Sequence, residues 1–173
     1  KHLAILFQKF ELYPFTARES IGYGDIERVN QISEIKESAQ KTDMHNFIET
    51  LPLKYENPLA VDFENGIDVS IGQWQRMGIA RMLFRKKADM LILDEPTSNV
   101  DPKAEEEIFQ HLTKKAKDKI LVFISQRFST TRLADQIMVI EKGKITEQGN
   151  HSKLMKLDGT YAELFNLQAK GYQ

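Results

Sequence analysis

Apolar positions follow two periods along this chain. Apolar runs at residues 3–7 and 90–93, and the stretch 121–125, apolar up to Ser125, predict buried strands. Between the first two, Ile26, Val29, Ile32 and Ile35 recur at helical spacing and predict a helix through that stretch. Thr42 and Asp43 are cap candidates for a second helix, with Met44, Phe47, Ile48 and Leu51 on one face and Pro52 as its stop. Residues 11–20 read as irregular around Pro14, and residues 57–68 as a loop with Pro58 and Gly66. A third helix is predicted from residue 70 to about residue 85, carrying Trp74, Met77 and Leu83. Asp101 before Pro102 reads as an N-cap with proline in the first turn. That helix would turn Ile108, Phe109 and Leu112 inward and Glu105, Glu106 and Glu107 outward. Residues 135–141 and 144–147 predict two strands around Lys142 and Gly143, and the stretch from residue 151 predicts one or two short helices. Strands alternating with helices give an α/β class.

Composition narrows the function classes. A length of 173 residues suffices for one domain with a sizeable core. A formal net charge of -1 leaves no electrostatic footprint for nucleic acid. Cysteine is absent, which excludes disulfides and thiolate metal sites and fits a reducing compartment. His2, His45, His111 and His151 lack metal-ligand spacing. The charged runs at 105–107 and 114–119 read as solvated helix faces. No apolar run approaches the length needed to span a bilayer. The chain opens inside a strand pattern without a Met, which reads as a piece of a longer protein.

The candidate chemistry starts where the run 90–93 ends in two adjacent carboxylates, Asp94 and Glu95, followed by a turn. Alone, such a pair reads first as a strand and an acidic turn. The C-terminal edge of an open α/β sheet is nonetheless where ligands bind. One acid there can hold a metal ion through water, and its neighbour can polarise an attacking water. Ser70 would cap the third helix, whose N-terminus offers free N–H groups and a positive dipole end to a phosphate. Gly72 would let the backbone approach closely.

Five segments in order carry a family resemblance. Gln8 follows the first strand; Ser70, Ile71, Gly72 and Gln73 open the third helix; residues 91–95 end in Asp94 and Glu95; residues 98–101 end in Asp101; Ser125, Gln126 and Arg127 follow the strand at 121–125. Together they resemble the Q-loop, signature, Walker B strand, D-loop and switch region of an ABC transporter nucleotide-binding domain. The segments at 64–66, 147–151 and 158–165 are similar to the exporter branch of that family.

The resemblance implies a P-loop NTPase-like parallel sheet with an inserted helical subdomain at about 21–85, a core at 1–20 and 86–150, and C-terminal helices at 151–173. It implies ATP and Mg²⁺ as ligands, with Asp94 and Gln8 at the metal, Glu95 as general base and Gln126 at the switch position. Ser70, Gly72 and Gln73 would reach the γ-phosphate of nucleotide held by a second nucleotide-binding domain, in a homo- or heterodimer, and Asp101 would link the two sites. A transmembrane domain is the other implied partner, on the cytoplasmic face of the cell membrane, and the implied activity is ATP hydrolysis driving export.

The resemblance also implies that the phosphate loop precedes Gln8, so that the isolated chain would be inactive. The strand leading into that loop would lie between the strands at 121–125 and 136–140. Two positions depart from the family pattern: Ile71 stands for a glycine and Gln126 for the switch histidine. A β-branched residue stiffens the backbone there, and an amide donates a hydrogen bond but carries no charge. A poorly hydrolysing regulatory partner in a heterodimer is therefore one alternative. A soluble ABC protein acting on nucleic acid or ribosomes is another, disfavoured by the charge and the exporter-like tail.

Overall fold

A computed structural model of the chain describes residues 2–9, 13, 15–96, 100, 102–115 and 118–170, with the side chains of 102–104 and 115 outside that description. The chain divides into two units, Lys1–Ile124 and Ser125–Gln173.

In the first unit, β-branched and long aliphatic residues make three short strands: β1 (Leu3–Leu6), β2 (Met90–Asp94) and β3 (Ile120–Ile124). They pair in parallel in the order β1-β2-β3, with Leu6 beside Leu93 and Leu93 beside Phe123. The strands were expected to be buried, and they are buried on one face. Ala4, Leu6, Leu91 and Leu93 point into a core, whereas Leu3, Ile5, Ile120, Val122 and Ile124 are 40–58% exposed. The reason lies in the helices. Both α4 (Ile71–Phe84), through Ile79 and Met82, and α5 (Pro102–Lys115), through Ile108, Phe109 and Leu112, pack on that one face. Phe109 meets Phe123 edge to face at 5.2 Å.

A second core in the same unit is helical. It gathers Ala17 and Ile21 from α1 (Ala17–Gly22), Ile35 and Ala39 from α2 (Ile32–Gln40), Ile48 from α3 (His45–Thr50), and Trp74, Met77, Ala80 and Phe84 from α4. Helix α4 thus feeds both cores, which explains why it is buried around most of its circumference. Gly78 is the close approach: a Cβ there would stand 2.9 Å from Leu6 Cδ1.

Four local expectations need correction. The stretch 11–20 is not irregular throughout, because Thr16 and Glu19 form a capping box that starts α1. The helix expected through Ile26 to Ile35 is a 3₁₀ turn, Ile26–Arg28, followed by α2. Three-residue spacing slips about 60° per step on a 3.6-residue helix, so one continuous helix could not bury all four isoleucine and valine positions. Ile26 is 70% exposed. Neither Thr42 nor Asp43 caps α3: Thr42 donates to the Ala39 carbonyl, Asp43 takes φ 56°, and Met44 occupies the cap position. Glu105, expected to face outward, is buried, while Glu106 and Glu107 are exposed. It lies one turn before Ile108 and Phe109, on their face of α5. Asp101, the expected cap of α5, lies outside the described residues.

The second unit holds α6 (Phe128–Thr131), an antiparallel hairpin of β4 (Ile137–Glu141) and β5 (Lys144–Gly149), and helices α7 (His151–Leu157) and α8 (Thr160–Lys170). Lys142 and Gly143 both take positive φ, as a two-residue hairpin turn requires. Glu147 accepts from the backbone N–H groups of Thr160 and Tyr161 and so satisfies the start of α8. Ile137, Leu154 and Tyr161 form the core, with Phe128 and Phe165 packed on it.

Candidate functional site

Parallel pairing fixes where the strand ends come together. Leu6 of β1 is in register with Leu93 of β2, so Gln8 and Glu95, two residues beyond each, emerge side by side. The Gln8 Nε2 amide donates to Glu95 Oε2 at 2.6 Å. The Glu95 backbone N–H donates to the Ile124 carbonyl at the end of β3, at 2.9 Å. All three strand ends therefore meet at this one residue. Glu95 takes φ 44°, a left-handed conformation that a non-glycine residue holds only when its surroundings fix it. The next residue, Pro96, is buried. Asp94 and Glu95 are themselves half-buried, reachable from solvent but not freely rotating.

A carboxylate held this way is an oriented acceptor that can take a hydrogen bond, or a proton, from a water. The Asp94 and Glu95 oxygens and the Gln8 amide oxygen are hard donors. A small divalent cation accepts such a set when water and phosphate oxygens complete its shell. Among the described residues, no group of three His, Asp or Glu side chains forms a dedicated metal cage.

The second cluster is local. Ser70 caps α4 in an extended conformation, its Oγ accepting from the Gln73 N–H at 3.3 Å, while Gln73 Oε1 accepts from the Ser70 N–H at 3.0 Å. Each side chain thus accepts from the other residue's backbone N–H, and Ile71 beside them is 60% exposed. Ser70, Gly72 and Gln73 sit together at the start of α4; Gln8, Asp94 and Glu95 sit together at the strand ends.

Gln126 lies in the second unit. Its backbone carbonyl accepts from Gln168 Nε2 at 3.2 Å, while Gln168 Oε1 accepts from the Phe128 N–H at 2.8 Å. Ser125 Oγ accepts from the Arg127 N–H at 3.0 Å. Gln168 therefore anchors this turn. Nothing in its local sequence marks that role, since the contact spans 42 residues.

Comparison with known proteins agrees on one family. A family model described as ABC transporter matches residues 1–98. The subtilin transport ATP-binding protein SpaT of Bacillus subtilis is 37% identical over 162 residues, covering 94% of this chain and 26% of that protein. ATP-binding cassette sub-family B member 5 of Mus musculus is 40% identical over 161 residues, covering 93% of this chain and 12% of its own length. A solved structure of a bacterial Atm1-family ABC exporter with ATP bound superposes with a TM-score of 0.86 at 32% identity, over 96% of this chain and 28% of that one. This chain spans 12% to 28% of the length of these proteins.

Proposed function

The chain belongs to the ABC transporter family, and on that premise we propose that it is part of the ATP-hydrolysing domain of an exporter. Its main support is the Gln8–Glu95 pair where β1, β2 and β3 end. Glu95 orients and deprotonates the attacking water, and Gln8 sets the direction of the Glu95 carboxylate and reaches the metal. Asp94 holds Mg²⁺ through water. The ion, when bound, neutralises charge on the phosphates.

Ser70, Gly72 and Gln73 present the start of α4 to the γ-phosphate of nucleotide on a second nucleotide-binding domain. Asp101 links the two composite sites, and Gln126 donates to the γ-phosphate. Residues 21–85 act as a helical subdomain, 1–20 and 86–150 as the core, and 151–173 as C-terminal helices. The parent works with a transmembrane domain at the cytoplasmic face of the cell membrane, and nucleic acid is not a partner. The chain by itself neither binds ATP tightly nor turns it over.

Glu95→Gln in the full-length protein tests this. The amide keeps the shape but is a far weaker base, so turnover should fall about 10²–10⁴-fold while Mg-ATP binding stays within a few-fold. Steady-state phosphate release together with nucleotide-binding titration checks it, and unchanged turnover would contradict the role of Glu95.

Exposed Ile71 at the start of α4 supports a second reading, a poorly hydrolysing domain paired with an active one. Gln126→His should then raise turnover several-fold, because a chargeable donor replaces a neutral one. No gain would leave Ile71 and Gln126 as tolerated variants.

A further inference from the structure

Arg81 is a strongly desolvated cation, among the described residues of the first unit, that the chemistry above does not use. It sits in the last turn of α4, about 16 Å along the helix from Ser70 at its start. Its guanidinium Nε donates to the Ser20 carbonyl at 2.5 Å, and its Cζ stands 4.4 Å from the centre of the Tyr13 ring. Among the described residues no carboxylate pairs with it. Burial pulls the guanidinium down from its ordinary value, with Tyr13 acting the other way. Its charge is thus balanced by a carbonyl near the C-terminal end of α1 and by a π face.

The segment that receives Arg81 is itself tightly built. Tyr13 stacks on Phe15 at 6.0 Å, and Phe15 meets Tyr23 edge to face at 5.2 Å. The Phe15 N–H donates to the Tyr13 carbonyl at 2.7 Å. Gly24 closes the segment against α4: a Cβ there would stand 2.1 Å from the Arg81 carbonyl oxygen, so only glycine fits. The same helix is therefore gripped twice at one residue, by its side chain and by its backbone.

An apolar side chain would fill this position at lower desolvation cost, which leaves orientation as what the arginine adds. We propose that Arg81 is a positioning residue that makes the aromatic segment around Tyr13, Phe15 and Tyr23 and the helix α4 move as one body. Because that segment follows Gln8, a displacement of Ser70, Gly72 and Gln73 is delivered along α4 to the segment and so toward Gln8. This deepens the proposed function and rests on it, since the coupled ends are the two clusters that the reading assigns to nucleotide.

The test is hydrogen exchange on the full-length protein in lipid nanodiscs, with and without Mg²⁺ and a non-hydrolysable ATP analogue. In the wild type, amides of residues 15–24 and 71–76 should slow together when nucleotide is added. In Arg81→Met and Tyr13→Leu, slowing at 71–76 should persist while slowing at 15–24 falls at least about threefold. Tyr13→Phe keeps the ring and should behave as wild type. A merely structural role would raise exchange without nucleotide but leave the nucleotide-dependent difference intact. If Arg81→Met does not fold, Tyr13→Leu carries the test alone.

Both responses intact in Tyr13→Leu would overturn the proposal. A wild type that shows no response and binds no nucleotide would remove the nucleotide reading and this inference together, a failure visible before any variant is compared.

Discussion

The strand ends and the helix start are built by opposite means. At the start of α4, Ser70 and Gln73 satisfy each other within one turn, in relaxed extended and helical backbone. At the strand ends, Glu95 holds a left-handed backbone and is fixed by Ile124 and by Gln8, 87 residues away. A left-handed non-glycine residue stores on the order of 1 kcal/mol or more, which the surrounding sheet must hold in place. The helix start is thus a local device that stands wherever α4 stands. The carboxylate is a tertiary device that exists only while three strands stay in register.

That contrast can be broken from the sheet side first. Leu93 is fully buried in the middle strand, directly before Asp94 and Glu95. Leu93→Ala should cost about 2–5 kcal/mol through lost contacts and the cavity left behind. Hydrogen exchange should show β1, β2 and β3 opening together, with turnover lost, while the first turn of α4 keeps its protection. Equal loss of protection in both places would mean that the two clusters share one support.

A smaller effect tests the other side. Ser70→Ala removes the cap and should cost about 1 kcal/mol. Exchange at the first-turn amides of α4 should rise about fivefold, with the β2 amides unchanged. A rise along the whole of α4 would show that the cap supports the helix beyond its first turn.

How legible each part was in the sequence follows the same division. The strand ending in Asp94 and Glu95, the α4 start at Ser70, the inward face of α5 and the Lys142-Gly143 hairpin were readable because each rests on neighbours within a few residues. The Thr16–Glu19 capping box is equally local, but Pro14 just before it reads as the mark of an irregular stretch. Glu105 carries a charge that reads as outward, whereas its helical phase with Ile108 and Phe109 buries it. The Gln8–Glu95 bond, the grip of Arg81 on Ser20 and Tyr13, and the hold of Gln168 on the turn at Gln126 span 42 to 87 residues. No periodicity or cap signals such contacts. Only the order of the motifs hinted that Gln8 and Glu95 belong to one site.

The central claim is that Gln8 and Glu95 act as a unit. A double-mutant cycle of Gln8→Ala and Glu95→Gln in the full-length protein, read by single-turnover phosphate release, tests it most directly. Residues that act together are strongly non-additive. The double variant should be no more than about threefold slower than Glu95→Gln alone, although Gln8→Ala by itself slows release about tenfold or more. If the two effects multiply instead, the amide and the carboxylate work independently, and the pairing seen at the strand ends is not the catalytic arrangement.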